Sequence, residues 1–116
     1  MKVIKYTESE SQVFDGDSVK GVTGRIAVGK EDGADNFCMR VFEVEKDGFT
    51  PRHSHDWEHE IFFHQGVGEV FLNEKWESVS AGSVAFIPGN KEHQIKNKGN
   101  EKLVFVCLVP SGAPEM

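Results

Sequence analysis

Four histidines and the spacing between them constrain this chain more than any other feature. His53, His55 and His59 fall within seven residues, and His93 lies beyond the segment Gly-Ser-Val-Ala-Phe-Ile-Pro-Gly. Imidazole is the commonest metal-binding side chain, and neutral near pH 7 it offers one lone pair to a cation. On extended backbone, side chains two apart share a face, so His53 and His55 can reach one point. His93 can join them only if the sheet curls back on itself. The pattern predicts a barrel closed around a mononuclear metal site.

The rest of the chain is consistent with that geometry. Segments Val19–Val28, Phe37–Val44, Glu60–His64, Val67–Leu72, Trp76–Val79, Ser83–Ile87, His93–Lys96 and Leu103–Val109 are rich in β-branched and aromatic residues. Gly, Asn, Asp and Pro separate them, and no segment keeps a helical period over ten residues. Asn73-Glu74 reads as a hairpin tip. Many short strands predict an all-β sandwich or barrel, and closure removes exposed edges. At 116 residues, a single domain over 1–116 with one core is expected. Residues 1–15 fit poorly into a minimal barrel and are expected as an N-terminal extension across a partner subunit.

Charge and composition exclude several function classes. A net charge of −6 argues against nucleic acid and anionic membrane surfaces, which select clustered Lys and Arg. The longest apolar run, Leu103 to Pro110, is far below the roughly 20 residues of a spanning helix. The N-terminus has no apolar run of the kind a secretory signal carries. Cys38 and Cys107 lack CxxC spacing and read as reduced thiols of a cytoplasmic protein.

The glycines and proline around the histidines narrow the fold further. From Gly48 the chain reads G-F-T-P-R-H-S-H-D-W-E-H-E-I-F-F-H-Q-G-V-G, and from Gly82 it reads G-S-V-A-F-I-P-G-N-K-E-H-Q-I-K-N. These resemble the first and second motifs of the cupin superfamily, over 48–68 and 82–97, with Gly82, Pro88, His93 and Asn97 in register. The resemblance implies a single-domain double-stranded β-helix, or jelly-roll barrel. Two positions depart from the usual pattern. The common ligand set is three His and one Glu, whereas both His59 and Glu60 stand in that region here. H-S-H-D-W-E-H-E-I-F resembles small bacterial cupins in which a His takes the place of the Glu. Neighbours on a strand face opposite ways, so only one of the two turns inward; His59 is the expected ligand. Asn90 stands where Gly is usual, and Asn tolerates a left-handed backbone best among other residues.

Candidate pocket residues follow from strand parity. Arg40 shares a face with Cys38, Phe42 and Val44; turned inward it would clamp a substrate carboxylate, turned outward it would only solubilise. The resemblance tilts it toward the pocket. Leu103, Phe105, Cys107 and Val109 form one face of the last strand, and Val104, Val106 and Leu108 the other. The resemblance points Phe105 and Cys107 into the cavity. The opposite stripe would pack outside, in a homodimer. Trp57 would cap the mouth or lie at that interface, and His64 is expected on an outer face.

A set of His53, His55, His59 and His93 would hold one divalent transition metal. All-nitrogen ligation disfavours Mg and Ca and admits Mn, Fe, Co, Ni, Cu and Zn; the resemblance favours Mn or Fe. The expected function is a metal-dependent, dioxygenase-like oxidoreductase acting on a small organic substrate. A metal-dependent isomerase or lyase on a sugar or keto acid, and a non-catalytic small-molecule-binding cupin, stand beside it, since the fold hosts many chemistries.

Overall fold

The longest strand organises the others. In the computed structural model, which describes residues 1–116, β3 runs from Phe37 to Phe49. One edge of β3 pairs with β2 (Lys20–Val28); the other pairs first with β9 (Leu103–Pro110) and then, at Phe49, with β8 (Gln94–Asn97). Outward from β9 lie β4 (His59–Gln65) and β7 (Val84–Ile87), and outward from β8 lie β5 (Val67–Leu72) and β6 (Lys75–Ser80). A short edge strand, β1 (Ser11–Phe14), adds to β2. All pairings are antiparallel. β3 thus hands the chain from one sheet to the other, and the two close into the jelly-roll barrel that the motifs imply.

The corner where β3 changes sheets has a visible cause. A register shift between Lys20 and Val22 marks a bulge, with Gly21 at φ 62°, and Asp47 opposite sits at φ 64°. Bulges bend and twist a strand locally, which is what a barrel corner requires. A Cβ on Gly48 would lie 2.6 Å from the Lys20 carbonyl oxygen, so the first motif begins with glycine because two backbones meet there. Asn73 and Glu74, at φ 54° and 63°, form the two-residue turn between β5 and β6. Asn90, at φ 67°, adopts the left-handed conformation expected of it.

The core follows strand parity. Cys38, Val44, Ile61, Phe63, Ile87, Leu103, Phe105, Cys107 and Val109 are buried in one cluster inside the barrel. Ala27, Val41 and Val104 form a smaller cluster on the outer face, where Tyr6 packs against them. Tyr6 Oη donates to Glu43 Oε2 at 3.2 Å, so the N-terminal segment lies against its own sheet here. No helix is long and apolar enough to cross a membrane.

Two local elements differ from the sequence expectation. Ser11–Phe14 forms a strand that the mostly polar stretch gave no sign of, because an exposed edge strand needs no apolar alternation. The H-x-H segment is not a continuous strand: only His53 pairs, in an isolated bridge with His93. Pro51 offers no N–H to prolong the ladder of β3.

Asn97 ties the second sheet together. Its Nδ2 donates to the carbonyls of Val44 (2.9 Å) and Glu101 (2.8 Å), and its Oδ1 accepts from Gly99 N–H (2.8 Å). Replacing this buried side chain strands polar backbone groups. Asn97→Ala is therefore expected to cost about 2–3 kcal/mol in urea unfolding, with an unchanged m-value. A loss below the error of the fit would show that water replaces these bonds at no cost.

Candidate metal centre

Three structural supports bring the histidines together. His53 and His93 exchange two backbone hydrogen bonds, His53 N–H to the His93 carbonyl at 3.1 Å and His93 N–H to the His53 carbonyl at 2.9 Å. The His55 carbonyl accepts from Asn90 N–H at 2.6 Å, which pins the intervening loop to the turn before His93. That turn and the loop touch closely: a Cβ on Gly89 would lie 2.6 Å from the Asp56 carbonyl oxygen. His59 begins β4 with its side chain inward and 7 % exposed, whereas Glu60 beside it is exposed and pairs with Phe86 and Leu108.

Three of the rings converge on one point. One ligand atom from each of His53, His55 and His93 lies within 4.8 Å of the others. His59 joins them, its Nε2 2.8 Å from His55 Nε2 and its ring centroid 5.2 Å from that of His93. The tautomers of two rings are set by carbonyl oxygens, which can only accept. His55 Nδ1–H donates to the Trp57 carbonyl and His93 Nδ1–H to the Lys91 carbonyl, each at 2.8 Å. Both therefore turn an Nε2 lone pair to the centre, and such outer hydrogen bonds are what orient metal-ligating imidazoles.

A divalent metal fits this arrangement. His93 Nε2 is buried and has no hydrogen-bond partner in the protein, a cost that a bound cation would remove. The short contact between His55 and His59 is one proton held between two nitrogens, donated by His59 Nε2–H. If a cation took that position, His59 would hold it through Nε2 and carry its single ring proton on Nδ1, 3.1 Å from Cys107 Sγ.

The electrostatics favour the neutral form of His53, His59 and His93. Burial, then the Arg40 charge, holds His59 down to about 3; burial, then His93, holds His53 down to about 4. His93 is lowered chiefly by burial, against the opposing effect of its bond to Lys91. Burial raises the Cys107 thiol, with Arg40 partly offsetting it, and raises Cys38 to about 11.

Around the rings lies a cavity of about 300 Å³. Arg40, Trp57, Phe105 and Cys107 all line it, while His64 is exposed on the far side of β4. Trp57 stacks flat on His55, with centroids 4.1 Å apart and planes 6° from parallel, so it fixes a ring as well as flanking the mouth. Sequence reasoning missed Phe42, whose ring seats the Arg40 guanidinium at 5.0 Å, although its parity with Arg40 was visible. It also missed Pro114 and Met116, which reach over the cavity from the C-terminal end. Glu115 anchors that tail by accepting from Lys30 N–H at 2.8 Å. No periodicity or motif marks those residues.

Comparison with known proteins identifies the family and the fold. The family model for the cupin domain matches residues 40–109. The chain belongs to the cupin family. Among solved structures, the cupin is similar to the polyketide cyclase RemF from Streptomyces resistomycificus, at 31 % identity and TM-score 0.89, covering 98 % of this chain and 82 % of that one. A predicted oxalate decarboxylase from Thermotoga maritima shares 24 % identity at TM-score 0.83, over 94 % of this chain and 98 % of that one. A cupin-2 domain protein from Rhodospirillum rubrum shares 20 % identity at TM-score 0.84, over 97 % and 76 %. No match to a curated protein was found.

The depressed imidazoles give the metal-free cupin a defined acid sensitivity. A histidine lowered in the folded state takes up protons mainly on unfolding, so stability is full above the unfolded value of about 6.5 and falls as pH drops toward the folded value. Between pH 6.5 and about 4, the melting temperature of chelator-treated protein is expected to fall, with His59 the main contributor because its side chain is buried, whereas the His53 side chain keeps an exposed edge that water screens even though its inner nitrogen is desolvated. His59→Gln should flatten that slope. A melting temperature constant across this window would contradict the neutral, desolvated rings.

Proposed function

We propose that this cupin is a metal-dependent enzyme acting on a small, largely apolar carbonyl compound, with His53, His55, His59 and His93 as the ligands of one divalent metal. The observation that carries the reading is the convergence of His53, His55 and His93 on one point, with the His93 Nε2 lone pair buried and unpartnered there and His59 Nε2 2.8 Å from His55 Nε2. Manganese or iron is the proposed native occupant, and zinc, nickel, cobalt and copper are accepted by the same donors. A divalent ion in this donor set supplies Lewis-acid polarisation of a carbonyl oxygen.

The protein's own groups define the rest of the chemistry. Phe42, Ile61 and Phe105 give the cavity apolar walls that favour an apolar substrate body. Trp57 and Lys91 hold the His55 and His93 rings in orientation through their carbonyls. Similarity at 31 % identity to a polyketide cyclase supports ring closure as the reaction class, a carbon–carbon bond forming from the carbon alpha to one carbonyl, as it loses its proton, to the carbon of a second carbonyl. A second reading, the dioxygenase-like oxidoreductase, draws on the all-imidazole donor set, which accepts a redox-active ion as readily as an inert one.

Outside the cavity, the exposed side chains of Val28, Met39 and Phe62 continue the apolar outer face beyond the part that Tyr6 covers. We propose that this face is buried in a homodimer, to which residues 1–15 contribute. The two free, buried cysteines fit a reducing, cytoplasmic setting.

Four measurements test these readings. Metal analysis of natively expressed protein should return about one transition-metal ion per chain, lost in His93→Ala; retention of full metal content by that variant would refute the ligand set. Metal-loaded protein should accelerate deuterium exchange at the central carbon of a linear 1,3-diketone, and chelation should abolish it. Unchanged exchange, together with substrate-dependent oxygen uptake by iron-loaded but not zinc-loaded protein, would favour the oxidoreductase instead. Light scattering at micromolar concentration should give the mass of a dimer, and a monomer would remove the interface.

A further inference from the structure

Arg40 presents a problem that the protein does not solve by itself. It lies inside the barrel, 8 % exposed, on the wall of the cavity. No carboxylate comes within ion-pair distance of it. Its Nη2 reaches only Cys107 Sγ at 3.1 Å and His59 Nδ1 at 3.4 Å, and its Nε is buried without any partner. The face of Phe42 lies 5.0 Å from the guanidinium carbon, a contact that attracts the cation but offers it no acceptor.

The whole cavity shares this imbalance. Its lining contains Arg40 and the four histidines but no Asp or Glu. A buried charge without a partner costs several kcal/mol, and proteins tolerate it where a ligand supplies the opposite charge. Guanidinium is the group best matched to a planar oxyanion, through parallel N–H donors in a fixed fork. A volume of about 300 Å³ is at the small end for ligand pockets and suits one or two fused rings.

We propose that the cavity binds an anionic ligand, a small aromatic or conjugated carboxylate or enolate, whose oxyanion is received by Arg40 and whose body lies against Phe42, Ile61 and Phe105. This narrows the substrate class of the site described above and rests on that reading for its catalytic meaning. The binding itself requires only Arg40 and the apolar walls. A carbonyl substrate that enters as its enolate, or that carries a carboxyl group, meets both demands at once.

The test compares a charged probe with its neutral isostere. The dissociation constants of 2-naphthoate and 2-naphthamide are measured by calorimetry at pH 7.5, on zinc-loaded and on chelator-treated full-length protein. Naphthoate should bind at least about tenfold more tightly than the amide in both forms, the size expected of charge-assisted hydrogen bonds. Arg40→Gln should bring the two probes within about twofold of one another, while Arg40→Lys should keep part of the preference, having the charge without the fork.

Equal affinities in the wild-type protein, or no binding of either probe, would overturn the proposal whatever the variants do. A preference that disappears on chelation would assign the anion to the metal and overturn it equally. If natively expressed protein holds no metal yet the preference is present, the metal-dependent reading fails and the anion site stands. Thermal melts of both variants identify any loss of folding; if Arg40→Gln does not fold, an Arg40→Lys ratio below that of the wild type supports the proposal and an unchanged ratio overturns it.

Discussion

The pair of backbone hydrogen bonds between His53 and His93 is the contact on which the site depends. They join two segments 40 positions apart in the sequence, one leaving β3 and the other entering β8. Each bond alone contributes on the order of 1 kcal/mol. Their importance lies in placement: they set the distance between the loop holding His55 and the turn at Asn90, which a third backbone bond then fastens. With those three contacts made, the imidazoles have little choice of position. The carbonyls of Trp57 and Lys91 remove the remaining freedom by choosing which nitrogen faces the centre.

The barrel around this centre is electrostatically one-sided. Desolvation holds His53, His59 and His93 below the ordinary imidazole value, and the guanidinium of Arg40 lies buried in the same space. The cavity lining therefore has donors and lone pairs in abundance and no Asp or Glu. Folding such an interior is less favourable than filling it with hydrocarbon, and the loss is compensated by the apolar core packed along β4 and β9. Local cost at a site, offset elsewhere in the fold, is the usual sign that the expensive groups serve binding or chemistry.

Much of this was legible in the residues because it depends on short-range rules. Strand parity separates His59 from Glu60, aligns Arg40 with Cys38 and Phe42, and puts Phe105 and Cys107 on one face of β9. Gly48 and Asn90 each mark a backbone requirement that leaves few alternatives. The illegible parts depend on distant pairings. β1 has no pattern of its own and exists because β2 offers it an edge. The loop at residues 51–58 takes its shape from the His93 bridge and Gly89, which local sequence does not announce. Whether Arg40 meets an acid or a thiol is likewise a question of which strand lies next to β3, and the answer is β9 with Cys107.

The C-terminal tail has a practical consequence at the bench. Pro114 and Met116 stand at the cavity, with Glu115 fastened to the backbone at Lys30, so whatever is attached after Met116 begins its path at the mouth of the barrel. An oligohistidine purification handle placed there would hold extra imidazoles beside the four rings, at a local concentration in the millimolar range if its linker is short. It could then occupy the centre in place of substrate or supply ligands of its own, and metal content would report on the handle as much as on the protein. Material carrying its handle at the other end, or none, is the form in which the site's own affinity can be read.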